Sequence, residues 1–334
     1  MSSHLDLDKT ALPGFVSTGH LPSPDQVRAL LRAAYDEFKA NDAGTTSNVY
    51  PALERADPDL FGISVVGARG NVHEIGDTTH PFTLMSISKP FVFALVCQEL
   101  GPDAARARLG ANATGLPFNS IVAVDQAPAG RTNPMVNPGA IATTALAPGA
   151  TAAEKWRFIQ RGLSRFAGHE LALDEEVYAS AAATNHRNRA IAWLLHSLGA
   201  IDWDPIETTD VYTRQCCLTV TARDLATMGA TLADGGVNPL TKERVVDPMV
   251  CHYTLAVMAT AGLYETSGDW LYEIGLPGKS GIGGGIVTVS PGKGGLGTFA
   301  PRLDAAGNGV KGQLVARYLS QRLGLDLFLS EPAA

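Results

Sequence analysis

Strand-type patterning falls in only two stretches of this 334-residue chain, one early and one late. Phe61-Gly62-Ile63-Ser64-Val65-Val66 has the β-branched, alternating character of a strand. Ala68-Arg69-Gly70-Asn71 reads as a turn, and Val72-His73-Glu74-Ile75 as the returning strand of an antiparallel hairpin. Beyond residue 275 the pattern recurs in Ile286-Val287-Thr288-Val289 and from Leu296 to Ala300. Val315, Tyr318, Leu319 and Leu323 then repeat at helical spacing, with Gly324 behind them. Between the two stretches, from Ser86 to about Trp270, helical spacing dominates. The simplest assembly is an α+β fold in which both ends share one antiparallel sheet flanked by helices, with the middle inserted as a helical lobe. Residues 1–22 are expected to be a flexible leader. Residues 23–334 form one domain, with 23–85 and 275–334 as the sheet-plus-helix lobe and 86–274 as the mainly helical lobe.

Helix boundaries are marked by local chemistry. Ser23-Pro24-Asp25-Gln26 offers a serine cap, proline in the first turn and glutamine three residues on, and Val27, Leu30, Leu31, Ala34 and Phe38 follow on one face. Thr221-Ala222-Arg223-Asp224 is a second capping box. Ala190, Ile191, Leu194, Leu195 and Leu198 share a face that ends at Gly199. With 45% hydrophobic and only 18% charged residues, much of the chain is buried. A net charge of −7 without a dense Lys/Arg stripe argues against nucleic-acid binding. No segment has the apolar length to span a membrane, and Met1 to Thr10 has no signal-peptide core. Cys97, Cys216, Cys217 and Cys251 show no C-x-x-C spacing and read as core thiols of a reduced, cytoplasmic enzyme. No histidine pair has metal-ligand spacing, so no metal site is expected, and the serine chemistry read below calls for no organic cofactor.

Ser86-Ile87-Ser88-Lys89 is the segment that carries chemistry. On a helix, residues three apart share a face, so the Lys89 ammonium can reach the Ser86 hydroxyl. A lysine held neutral by burial is a base, and a serine at a helix start feels the positive end of the dipole. Alone, the motif reads equally well as a solvated helix start. Lys279-Ser280-Gly281 opens a strand far downstream, and a pocket between the lobes would bring Ser86 and Lys279 together. S-x-x-K followed by K-[ST]-G is the arrangement of the serine β-lactamase and penicillin-binding superfamily. The run Gly281-Ile282-Gly283-Gly284-Gly285 leads into a strand and offers no helix N-terminus to a phosphate. Close backbone packing beside the pocket explains it better.

Longer blocks resemble the serine-dependent glutaminases. They are Asn133-Pro134-Met135-Val136-Asn137-Pro138-Gly139-Ala140-Ile141, Arg187-Asn188-Arg189-Ala190-Ile191-Ala192, Asp210-Val211-Tyr212-Thr213-Arg214-Gln215-Cys216 and Gly275 through Gly285, in the family's order. The resemblance implies a β-lactamase/DD-peptidase-like fold and hydrolysis of the L-glutamine side-chain amide to glutamate and ammonia. By position, Ser86 matches the nucleophile and Lys89 its general base. The N–H groups of Ser86 and Ile282 match the oxyanion donors, and Tyr264 the tyrosine near the leaving ammonia. Asn137, Asn188 and Tyr212 match substrate contacts. Asn133 reads as a turn residue, and Cys216 and Cys217 as core. Family members are often homodimers or homotetramers, which the resemblance extends to this chain.

Two positions depart from the family pattern. Val49-Tyr50-Pro51-Ala52-Leu53 places Val49 where a tyrosine is usual, with Tyr50 one residue on. Ala181, seven residues before Asn188, stands where a glutamate pairs with the substrate ammonium. Two further readings therefore stay open: a Ser/Lys hydrolase of another amide, ester or β-lactam, and a weakened glutamine-binding homologue.

Overall fold

The computed structural model describes residues 23–328; the leader expected over residues 1–22 lies outside the described residues. Among the described residues seven strands occur in chain order: β1 (Gly62–Gly67), β2 (Val72–Gly76), β3 (Phe82–Thr83), β4 (Thr219–Val220), β5 (Gly278–Ser280), β6 (Gly285–Ser290) and β7 (Gly294–Phe299). Five of them form one antiparallel sheet in the order β2-β1-β7-β6-β5, so the early hairpin and the late strands do share a sheet. The join is the β1–β7 ladder, where Ile63 faces Thr298 and Val66 faces Gly295. The short β3–β4 pair, Phe82 with Val220 and Thr83 with Thr219, went unread in the sequence. Two residues carry no periodicity to detect.

Alternation along the strands divides the core between the two faces of the sheet. Ile63, Ile286 and Leu296 pack with Leu31, Trp270, Val315 and Leu319 beneath the helices Pro24–Phe38, Ser267–Ile274 and Val310–Leu323. Val287, Val289 and Phe299 point the other way and join the larger core of the helical region. The helix Ala222–Ala233 lies directly on that second face. Glycine permits the approach: a Cβ on Gly297 would stand 2.1 Å from the Ala222 carbonyl oxygen, and one on Gly295 would stand 2.3 Å from that of Ala226.

The capping signals are realised. Ser23 and Gln26 bond reciprocally ahead of Pro24–Phe38, and Thr221 and Asp224 do so ahead of Ala222–Ala233. One boundary differs from expectation. Ser86 does not start the α-helix; it sits in a 3₁₀ turn, Met85–Ile87, and the helix proper is Ser88–Leu100. Met85 takes φ +47°, a left-handed conformation unusual for a non-glycine residue, and this bend presents the serine. From Ser88 through Cys97 every residue of the helix is buried.

Candidate active site

The chain reaches Ser86 through β3, and the glycine run of 281–285 holds that approach. A Cβ on Gly281 would lie 2.9 Å from the Leu84 carbonyl oxygen, and one on Gly283 would lie 2.7 Å from that of Thr83. Ile282, carried between them, is thereby placed beside the serine turn. Among the described residues, neither the Ser86 nor the Ile282 backbone N–H finds a hydrogen-bond acceptor. Two free amides flanking one hydroxyl are what an oxyanion requires.

Lys89 is 1% exposed, and burial pushes its ammonium down to about 7. Its Nζ donates to the Asn137 Oδ1 at 2.7 Å and to the Met135 carbonyl at 3.3 Å. A neutral amine has two N–H groups and one lone pair, so these acceptors take both hydrogens and leave the lone pair free. Asn137 is the hub of the network. Its Oδ1 also accepts from the Tyr212 hydroxyl at 3.3 Å, and its Nδ2 donates to the Asn188 Oδ1 at 2.9 Å. Three helices contribute, since Asn137 opens Asn137–Ala145, Asn188 lies in His186–Ser197 and Tyr212 in Pro205–Cys216.

Tyr264 donates through its hydroxyl to the Ser280 carbonyl at 3.4 Å with Ser86 beside it, and burial pushes its phenol up to about 12. It takes φ +58°, a second left-handed non-glycine residue at the site, and its ring lies 4.7 Å from that of Phe118. Lys279 stands behind it. The Lys279 Nζ is 4.0 Å from the Tyr264 ring centroid and donates to the Gly262 and Ser280 carbonyls at 2.6 and 2.8 Å. Burial and the neighbouring Lys89 hold the Lys279 ammonium well below its usual range. Lys279 thus backs the tyrosine and is not among the residues lining the cavity over Ser86.

That cavity, of about 140 Å³, is lined by Ser86, Asn137, Asn188, Tyr212 and Ile282 together. It also has walls that the sequence left unassigned: Phe118, Asn119, Asn185 and Arg187. Cys216, expected to be a core thiol, packs against the core and also lines the cavity beside Ser88 and Tyr212. A signal existed, since it lies one helical turn beyond Tyr212. Asn133 is a turn residue as read; its Oδ1 accepts from the Met135 N–H at 2.9 Å.

Of the two departures, Val49 lies at the mouth, 51% exposed, while Tyr50 lines the cavity wall. Ala181 is 1% exposed in an apolar cluster with Leu53, Met85, Val177 and Cys217, against which Tyr50 and Ile282 pack. Among the described residues no three His, Cys, Asp or Glu side chains come together as a metal site would require. No helix among them is long and apolar enough to cross a membrane.

The family model for glutaminase matches residues 44–328. The chain belongs to the glutaminase family. It is 67% identical to Glutaminase 2 of Yersinia pestis over 318 residues, covering 95% of this chain and 94% of that one. It is 46% identical to the glutaminase of Brucella suis biovar 1 over 306 residues, covering 92% and 96%. Among solved structures, one described as "Probable glutaminase ybaS" superposes with a TM-score of 0.91 at 42% identity, covering 92% of this chain and all of that one. Another, Mglu in its tris and glutamate form, gives 0.87 at 36%, covering 94% and 69%. The fold is accordingly the β-lactamase-like α+β fold. The enzyme is a hydrolase that converts glutamine to glutamate and ammonia.

Proposed function

We propose that the glutaminase works by acylation of Ser86. The supporting observation is the state of Lys89: buried three residues after Ser86, with both N–H groups taken by Asn137 and Met135 and its lone pair left without a donor. Neutral Lys89 takes the hydroxyl proton as the Ser86 Oγ attacks the amide carbon. The tetrahedral oxyanion is held by the N–H groups of Ser86 and Ile282. As the C–N bond breaks, protonated Lys89 gives up that proton to the nitrogen, with the neutral phenol of Tyr264 beside Ser86 to relay it, and ammonia leaves. Water then attacks the γ-glutamyl ester and gives a proton to neutral Lys89, which passes it to the Ser86 Oγ as the ester C–O bond breaks and glutamate is freed. Asn137, Asn188 and Tyr212 orient the amino-acid end of the substrate while fixing the base.

Residues 23–334 act in this reading as one domain, because the site combines Ser86 and Asn137 of the helical segment with Ile282 of the sheet-bearing one. Four free thiols are consistent with a reducing, cytoplasmic location. Exposed apolar side chains at Val122, Trp193, Leu198 and Ile206 support a homodimer or homotetramer. Ammonia release from L-glutamine by the purified enzyme tests the mechanism. Ser86→Ala is expected to abolish it while leaving the thermal transition in place, and full activity in that variant would remove the nucleophile assignment.

A further inference from the structure

Free glutamine carries a positive and a negative charge at its α-carbon, and a site built for both needs groups of both signs. Among the described residues lining this cavity, one is charged, Arg187. Its Nε donates to the Asn119 carbonyl at 2.7 Å, which fixes the guanidinium at the mouth. No Asp or Glu among the described residues lines the cavity. The wall formed by Tyr50, Met85 and Ile282 is backed by Ala181, which supplies no charge. The acceptor that is on offer is neutral. Asn185 lines the cavity, its Nδ2 donates to the Thr213 hydroxyl at 2.8 Å, and among the described residues its buried Oδ1 has no partner. An unpartnered amide oxygen suits a neutral N–H group, whereas an ammonium taken out of water calls for an opposite charge. The mouth beside it holds Val49, half exposed and apolar, so a substituent on that nitrogen would have something to cover.

We propose that this enzyme also hydrolyses glutamine whose α-nitrogen is acylated, the substrate being anchored by its carboxylate on Arg187 and by its neutral N–H on Asn185. The inference rests on the Ser86 mechanism above, and the same bond is broken by water, giving ammonia and an N-acylglutamate.

The test compares kcat/KM for L-glutamine and N-acetyl-L-glutamine in the wild-type enzyme, Ser86→Ala and Ala181→Glu. Wild type is expected to hydrolyse the acetylated amide with kcat/KM within about tenfold of that for L-glutamine, because no charge-assisted contact distinguishes them. Ala181→Glu is expected to shift the ratio toward L-glutamine by about tenfold or more, the worth of one such contact. Arg187→Gln should raise KM for both substrates alike. Turnover of L-glutamine with discrimination greater than tenfold against the acetylated substrate overturns the inference while leaving the mechanism standing. An unchanged KM in Arg187→Gln overturns the carboxylate anchor. Failure to hydrolyse either amide, or hydrolysis undiminished in Ser86→Ala, overturns the mechanism and the inference with it.

Discussion

In the proposed mechanism a buried amine sets the pH behaviour of the site. Lys89 is a base only when deprotonated, and its ammonium is held at about 7 by burial. Below that pH the protonated fraction grows, so kcat/KM should fall about tenfold per pH unit on the acid side and level off above. A profile flat from pH 5 to pH 9 would exclude Lys89 as the base. Asn137 should matter through both kcat and that profile, since its Oδ1 holds the Lys89 Nζ and the Tyr212 hydroxyl. Asn137→Ala leaves a buried polar partner unsatisfied, at a cost of about 1–3 kcal/mol. Its expected signature is a displaced acid limb in the pH–rate profile, which loss of substrate contact alone would not produce. At this scale the sequence spoke unevenly. Ser86 and Lys89 were legible because their relation is local. The link from Asn137 to Lys89 spans 48 positions and depends on two helices meeting, which neither local pattern records.

Elements were legible where their chemistry is local and lost where it depends on a neighbour. The caps at Ser23 and Thr221 are short-range hydrogen bonds and could be read directly. The turn that displaces Ser86 from the helix could not, because the left-handed Met85 lies beside Gly283, a neighbour far along the chain. That run and the glycines of β7 set the spacing between elements. Gly297→Ala would press a methyl group into the backbone of the helix Ala222–Ala233 and should destabilise the protein by roughly 1–3 kcal/mol or more. Thermal melting of the variant is the check, and an unchanged transition would show that helix and sheet can slide apart freely. Gly283→Ala should act differently. The methyl would meet the Thr83 carbonyl and shift Ile282 against Ser86, so kcat should drop by more than the change in stability accounts for.

Across the whole molecule, both ends of the described chain contribute to a single sheet, while the active site lies where that sheet meets the helical region. The sequence revealed which segments were strands, but the order β2-β1-β7-β6-β5 follows from how the two ends meet. Stability owes nothing to cross-linking, for Cys97, Cys216, Cys217 and Cys251 are all free. A reducing agent should leave the melting transition unchanged, and a downward shift would reveal a disulfide formed in solution. The β1–β7 ladder also governs the timing of biosynthesis. As the polypeptide emerges from the ribosome, β1 and β2 are made early, yet the partner of β1 on its other side runs from Gly294 to Phe299. Until those residues emerge, the nascent hairpin has an open edge and an uncovered apolar face, the features that recruit stray strands and chaperones. Ile282 and the tyrosine-backing Lys279 arrive in the same late stretch. The newborn enzyme therefore closes its sheet and completes its active site almost together, and a chain stalled before that point is both inactive and adhesive.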